Sequence, residues 1–385
     1  MVGKPCTSLG LVMGDGPGRS IVCVKKGKKK MWLPLAANKR DPSPMTSSGV
    51  TDSGSSTSSA CSQLPVFTAD FIDPSYVRVV TPIGGQTGSG GVIAVRSYVH
   101  PSNDFMGKEL PVFAPVDMTF YQASYYKVPG SPDSYQPEYA LYFEVGCGIS
   151  VKFFHIKGVV GNVAEVAPKV QSPSSAGQDV KKTAIKAGEQ IGWYKLGENS
   201  VAFDFWVDNA ARTNDFIVAS HFASSNALHS VCPYDFYPPA KRAQWFGKLG
   251  APGGIPVPGT SCGVVTEGKT GTADGMWFVG TDTMTDHLAY EGAYQSQIML
   301  STDTDMNVRI GGLNTSASLT QMFVGPQMST WRKPSDVLVG ETQCWSDDKQ
   351  SVRVKVMSTT TMSVNVGLGP CTALPDVCTD KIYYR

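Results

Sequence analysis

The chain has 385 residues, 41% of them hydrophobic, with 40 glycines and 26 prolines. That much glycine and proline favours short strands joined by turns and argues against long helices, while the length allows two sizeable cores, so an all-β fold is expected. Net charge is only +1, yet residues 1–60 carry 9 basic and 3 acidic side chains against 24 and 29 in residues 61–385. The front is basic, the body is mildly acidic, and no specific nucleic-acid binding is expected.

Residues 1–35 read as a small basic module. Cys6 and Cys23 bracket a glycine-rich segment and look like a disulfide pair. The lysine run over residues 25–30 suits charge attraction to wall polymers, nucleic acid or phospholipid heads, or else it is a solvated hairpin turn. No apolar core of signal-peptide length is seen in residues 1–35, and no stretch anywhere approaches a membrane span. Residues 36–64, almost all Ser, Thr, Gly, Asp and Pro from Asp41 to Ser62, read as a flexible linker.

The next region, residues 65–245, is expected to be a central antiparallel β-sheet domain. His100-Pro-Ser-Asn-Asp104 has a proline after the histidine and turn-forming residues behind it, which places the pair on an irregular strand end. Leu110 to Asp117 is a short strand closed by a proline-restricted bend. Ala140 to Ser150 begins a β run that continues through Ile156 and contains His155, which alternation puts opposite Phe154 and Ile156. Gly188 and Gly192 flank a tight turn, where a left-handed or closely approached backbone excludes a side chain. Asn199 to Asp208 then alternates around Val201, Phe203, Phe205 and Val207, so Ala202 and Asp204 share the opposite face.

These segments, in this order, resemble the lysostaphin-type metallopeptidases, which cut the peptide cross-bridges of bacterial peptidoglycan on a small antiparallel β scaffold. The resemblance covers roughly Pro82 to Tyr237. It implies that His100 and Asp104 are zinc ligands and that His155 activates water or steadies the transition state; read from the residues alone, His100 and Asp104 are equally a surface loop pair with no metal and His155 a satisfied core histidine. Ala114-Pro-Val-Asp117 is similar to the family's strand end, with Met118 where glycine is usual, and Ile185-Lys-Ala-Gly-Glu-Gln-Ile-Gly192 to its turn. The family's closing His-x-His is Ala202-Phe-Asp204 here. Asp204 then completes a His-Asp-Asp zinc set of harder, less selective donors, and one imidazole is missing, a loss typically of about 10²- to 10⁴-fold in rate. His221 and His229 lie in a loop segment and read as exposed polar residues or as a replacement swung into the site.

A second linker rich in glycine and proline spans residues 246–261. Residues 262–385 follow as a β-sandwich or small barrel, with strands expected at Met276–Val279, Gln297–Ser301, Asn307–Ile310, Ser351–Ser358 and Thr360–Val366. Trp277, Tyr290, Tyr294, Trp331 and Trp345 are core residues or a carbohydrate-stacking surface. Nine cysteines exceed what a reduced cytosolic enzyme needs, which points to a secreted or extracellular protein, with a cytosolic one as the alternative. Cys344 and Cys371 form the second expected disulfide, Cys378 being able to replace Cys371. Cys61, Cys147, Cys232 and Cys262 have no obvious partner, and with no Cys-x-x-Cys a thiolate zinc site is disfavoured.

Two functions are therefore expected. In one, the scaffold binds peptidoglycan or another cell-wall or surface polymer without efficient turnover. In the other, a zinc-dependent endopeptidase with a substituted site cleaves peptidoglycan cross-bridges through His100, Asp104 and Asp204, assisted by His155.

Overall fold

The computed structural model describes strand residues 12–14, 20–26 and 29–34, then residues 64–87, 92–127, 135–197, 201–222, 226–251, 261–266, 268–279, 297–312, 321–347, 349–375 and 381–385, with single positions at 254, 256, 257 and 259. The chain divides into two compact units, Met1–Thr57 and Ser58–Arg385. In the first, Val12–Gly14, Ser20–Lys26 and Lys29–Pro34 form a three-stranded antiparallel sheet. Lys25 pairs with Lys30 and Lys26 with Lys29, so the lysine run sits at a hairpin tip. The Cys6–Cys23 pair, the linker up to residue 63, and Cys61, Cys378, Tyr290 and Tyr294 lie outside the described residues.

The second unit is built from antiparallel sheets, as its composition requires. One sheet runs in the order Gln178–Ile185, Met118–Tyr126, Glu138–Gly146, Ile149–Ile156, Phe203–Asn209, Ser97–Pro101 and Val77–Val80. Alternation fixes which way each strand faces. Phe203, Phe205 and Val207 turn inward, where the Phe205 ring stacks on Phe71 at 4.1 Å and on Phe153 at 5.1 Å, while Asp204, Trp206 and Asp208 take the other face. A three-stranded sheet, Gly158–Val159, Gln190–Lys195 and Glu109–Phe113, lies beside it in sequence and buries Leu110, Val112 and Tyr194 in the same core.

The run from Ala140 to Ile156 is not one continuous strand. Cys147 and Gly148, with φ of 53° and 73°, reverse the chain, so Glu138–Gly146 and Ile149–Ile156 pair antiparallel as a hairpin. The turn expected around Gly188 and Gly192 is present. Gly188 has φ of +80°, and a Cβ on Gly192 would fall 2.4 Å from the Gly158 carbonyl oxygen. A Cβ on Gly188 would meet only Ala69 Cβ, at 3.9 Å, so Gly188→Ala isolates the left-handed backbone term. It should lower unfolding stability by about 1–2 kcal/mol, read from a denaturant midpoint with unchanged slope.

The remaining strands form a nearly closed, barrel-like sheet in the order Gln321–Val324, Val308–Gly311, Gln297–Thr302, Gly275–Phe278, Lys381–Tyr384, Thr361–Leu368, Gln350–Val356 and Thr342–Ser346. Five of these match expected strands. Trp277 and Trp345 are fully buried in this second core, so they pack rather than present a stacking surface, and Trp331 is partly buried against them. The segment at 246–251 is anchored: Leu249 is buried, and Val80 and Gly250 exchange backbone hydrogen bonds with Lys248 and Val80 in a parallel bridge. Met276, Phe278 and Met299 face the first core while Trp277, Ile298 and Leu300 face the second, so the two strands that carry them join both cores within one unit.

Cys344–Cys371 is a disulfide, as the spacing suggested, and Cys232–Cys262, which spacing alone did not reveal, is another; Cys147 is disulfide-bonded as well. No described helix is long and apolar enough to cross a membrane.

Candidate functional site

His155 stands at the end of its strand with φ of +67°, a conformation seldom adopted by a residue with a Cβ. The register explains it. Leu141 pairs with Phe153 but Tyr139 pairs with Ile156, so two residues of one strand oppose one of the other, a β-bulge that rotates the backbone at 154–155. Strict alternation had placed His155 opposite Phe154. The bulge instead brings its ring to Asp204, the cross-strand partner of Phe154, on that same face.

The result is a chain of charges across four strands and the residues beside them. His155 Nδ1 donates to Glu138 Oε1 at 2.5 Å, and its Nε2 lies 3.6 Å from Asp204 Oδ2. Arg96 Nε is 2.5 Å from that same Asp204 oxygen. At the other end Lys157 Nζ donates to Glu138 Oε2 at 2.6 Å, and the Tyr126 hydroxyl to Oε1 at 2.8 Å. Glu138, Asp204 and Arg96 are buried and the His155 side chain is 30% exposed against 10% for Lys157, so the network opens to solvent chiefly at the imidazole. A second linkage adjoins it: Lys152 Nζ donates to Asp208 Oδ2 at 2.5 Å, Trp206 Nε1 donates to Oδ1 at 2.8 Å, and the Lys152 ammonium sits 4.1 Å from the Trp206 ring.

The electrostatics follow from this pairing. Burial pulls the His155 ring down, but Asp204 and then Glu138 outweigh it and hold the imidazole above its ordinary value. Burial pushes the Glu138 carboxyl up, but His155 and Lys157 more than reverse this and hold it at about 2. An imidazolium clasped between two carboxylates is the state the geometry favours.

The zinc set implied by the resemblance is not assembled. Asp204 is inside the network, but its carboxylate is taken by the Arg96 guanidinium and, beyond it, the His155 ring. Asp104 is exposed on the turn at Asn103–Phe105, where its carboxylate accepts from Ser102 Oγ at 2.8 Å. His100 is buried one strand further along. Its ring bonds to the Val201 backbone, and burial first, then Arg78, push it down to about 4. Among the described residues no three His, Cys, Asp or Glu side chains converge as metal ligands. The donor set therefore does not fit zinc. His229 Nδ1 lies 2.8 Å from the Arg212 carbonyl and His221 packs 4.6 Å from the Phe278 ring, so neither stands in for the missing imidazole.

No family model, curated protein or solved structure matches this chain. The site thus rests on its own geometry. Of the expected residues, His155 and Asp204 come together, while His100 and Asp104 do not join them. Arg96, Glu138 and Lys157 were not anticipated. Their signal was a lone charge inside an apolar run, Ala94-Val-Arg96-Ser and Glu138-Tyr-Ala-Leu-Tyr-Phe, since a charge in a buried strand needs a partner.

Proposed function

We propose that residues 58–385 form a non-catalytic binding module of an extracellular surface, with a cell-wall polymer such as peptidoglycan as its ligand. The observation that carries this reading is the Arg96 guanidinium on Asp204. It engages the carboxylate beside His155 Nε2 in a charge pair, while Nδ1 is held by Glu138, so neither carboxylate stands free for a metal or a reacting proton. Around the pair, the half-buried rings of Tyr98 and Tyr142 and the ion-paired Lys152 and Asp208 supply the mixture of flat apolar surface and fixed polar groups that polymer recognition uses. Two disulfides within the unit favour an oxidising compartment.

The test is co-sedimentation of the full chain with insoluble peptidoglycan, alongside an assay for newly released amino termini with and without added zinc. Saturable retention with no release is expected, weakened by His155→Gln. Release that requires zinc and disappears in His100→Ala would establish the endopeptidase instead, and absence of retention would remove peptidoglycan as the ligand.

A further inference from the structure

We infer that the groove lying between the strand end at Thr81–Gly85 and the turn after Gln297–Thr302 is a binding site for a neutral pyranose sugar. The groove encloses about 350 Å³, at the lower end of the range of small-ligand sites. Its wall is rigid, because Ile83 N donates to the Cys262 carbonyl at 2.8 Å and Cys262 is itself bonded to Cys232. The groove shares Tyr98 with the surface around the Arg96–Asp204 pair, but its other lining residues lie apart from the His155 network, and the assignment does not depend on the polymer-binding reading.

Charge narrows the ligand first. Asp274 and Asp303 line the groove, and among the described residues no lysine, arginine or histidine does, so phosphate, sulfate and carboxylate ligands are disfavoured. Burial raises both carboxyls, Asp303 to about 6 despite Arg309 Nε at 3.0 Å, so near neutrality Asp303 accepts hydrogen bonds and in mild acid it donates as well.

Hydroxyl chemistry narrows it further. Ser301, Thr302 and Thr304 also line the groove, and their hydroxyl oxygens are shut off from bulk solvent with no hydrogen-bond partner among the described residues. Ser301 is only 7% exposed. Three such hydroxyls in four residues are rare, since buried polar atoms are nearly always paired. As the side chains stand these oxygens are closed to water-sized contact, so each reaches a ligand hydroxyl only by turning about χ1, after which it can donate or accept. Val264, 57% exposed, supplies an apolar flank beside them. A pyranose offers that combination, a rim of hydroxyls around an apolar C–H face.

The full chain would be titrated by calorimetry and ligand-observed NMR with methyl glucopyranoside, methyl galactopyranoside, methyl mannopyranoside and methyl N-acetylglucosaminide, with glucuronate, inorganic phosphate and ethanolamine as charged controls. At least one neutral pyranoside should bind with a Kd of about 1 mM or below, and the controls should not. Gly85 lines the groove, and a Cβ there meets nothing within 4 Å. Gly85→Phe should therefore block the site, weakening binding at least about tenfold with an unchanged unfolding midpoint. Should that variant not fold, Ser301→Ala combined with Thr304→Val removes two of the hydroxyls and should weaken binding by about tenfold. Failure of every neutral pyranoside, equal binding of a charged control, or indifference to these substitutions would overturn the assignment.

Discussion

Replacing Asp204 by alanine is expected to lower the unfolding stability of the second unit by about 3–5 kcal/mol, the usual cost of deleting one member of a buried ion pair. The size follows from what is left behind. Asp204 is fully buried, and both Arg96, at 2.5 Å, and His155, at 3.6 Å, lean on the same oxygen, so its loss strands a guanidinium in a site only 9% exposed. His155 loses one of the two carboxylates that favour its protonated form and is left with Glu138. Removing the stranded charge as well, in Arg96→Met combined with Asp204→Ala, should recover much of the deficit, because the penalty comes from the uncompensated charge and not from the absence of attraction. Urea unfolding of the oxidised protein measures both variants. A deficit under about 1 kcal/mol for Asp204→Ala would show that water already solvates Arg96 and that the network is a surface feature.

That experiment also probes how far the site could be read from sequence. Periodicity was a sound guide to which residues share a face: Phe203, Phe205 and Val207 turn to the apolar core as their spacing required, and Asp204, Trp206 and Asp208 share the opposite face, which is buried as well. Turn chemistry was legible at Gly188 and Gly192 for a local reason, the absence of a Cβ. His155 was misplaced because a bulge shifts the count by one, and a bulge is a property of the pairing between two strands, not of either one. Arg96 and Glu138 are separated by 42 positions in the chain, and no short-range pattern links them to His155. The zinc set failed on the same ground: the spacing of His100 and Asp104 carries no information about the guanidinium that occupies Asp204, or about the Ser102 turn that holds Asp104 in solvent.

The same two histidines should give the protein a stability maximum set by opposing titrations. His100 is held neutral by burial and by Arg78, with its folded value lowered from 6.5 to about 4. A lowered histidine binds its proton more readily when unfolded, so the stability it contributes is present above 6.5 and is lost as pH falls from 6.5 toward 4, by about 3 kcal/mol in full. His155 has the opposite sign. Its folded value is raised, so its contribution is fully present below 6.5 and is lost as pH rises through that raised value. Glu138, lowered to about 2 chiefly by His155 and Lys157 against its own burial, adds stability above 4.5 that disappears only in strong acid. Part of that gain is the His155 interaction counted from the other partner. Between pH 6.5 and 4 the loss at His100 thus opposes the favourable charge on His155. In His100→Gln the acid-side fall should flatten, whereas in His155→Gln the alkaline-side fall should disappear and stability at pH 5–6 should drop. Unfolding free energies from pH 4 to 9 for the native chain and both variants would decide it, and an acid slope in His100→Gln equal to that of the native chain would mean that the buried ring already accepts a proton in the folded state. The two profiles should cross, because one ring is buried beside a cation and the other is clasped between anions.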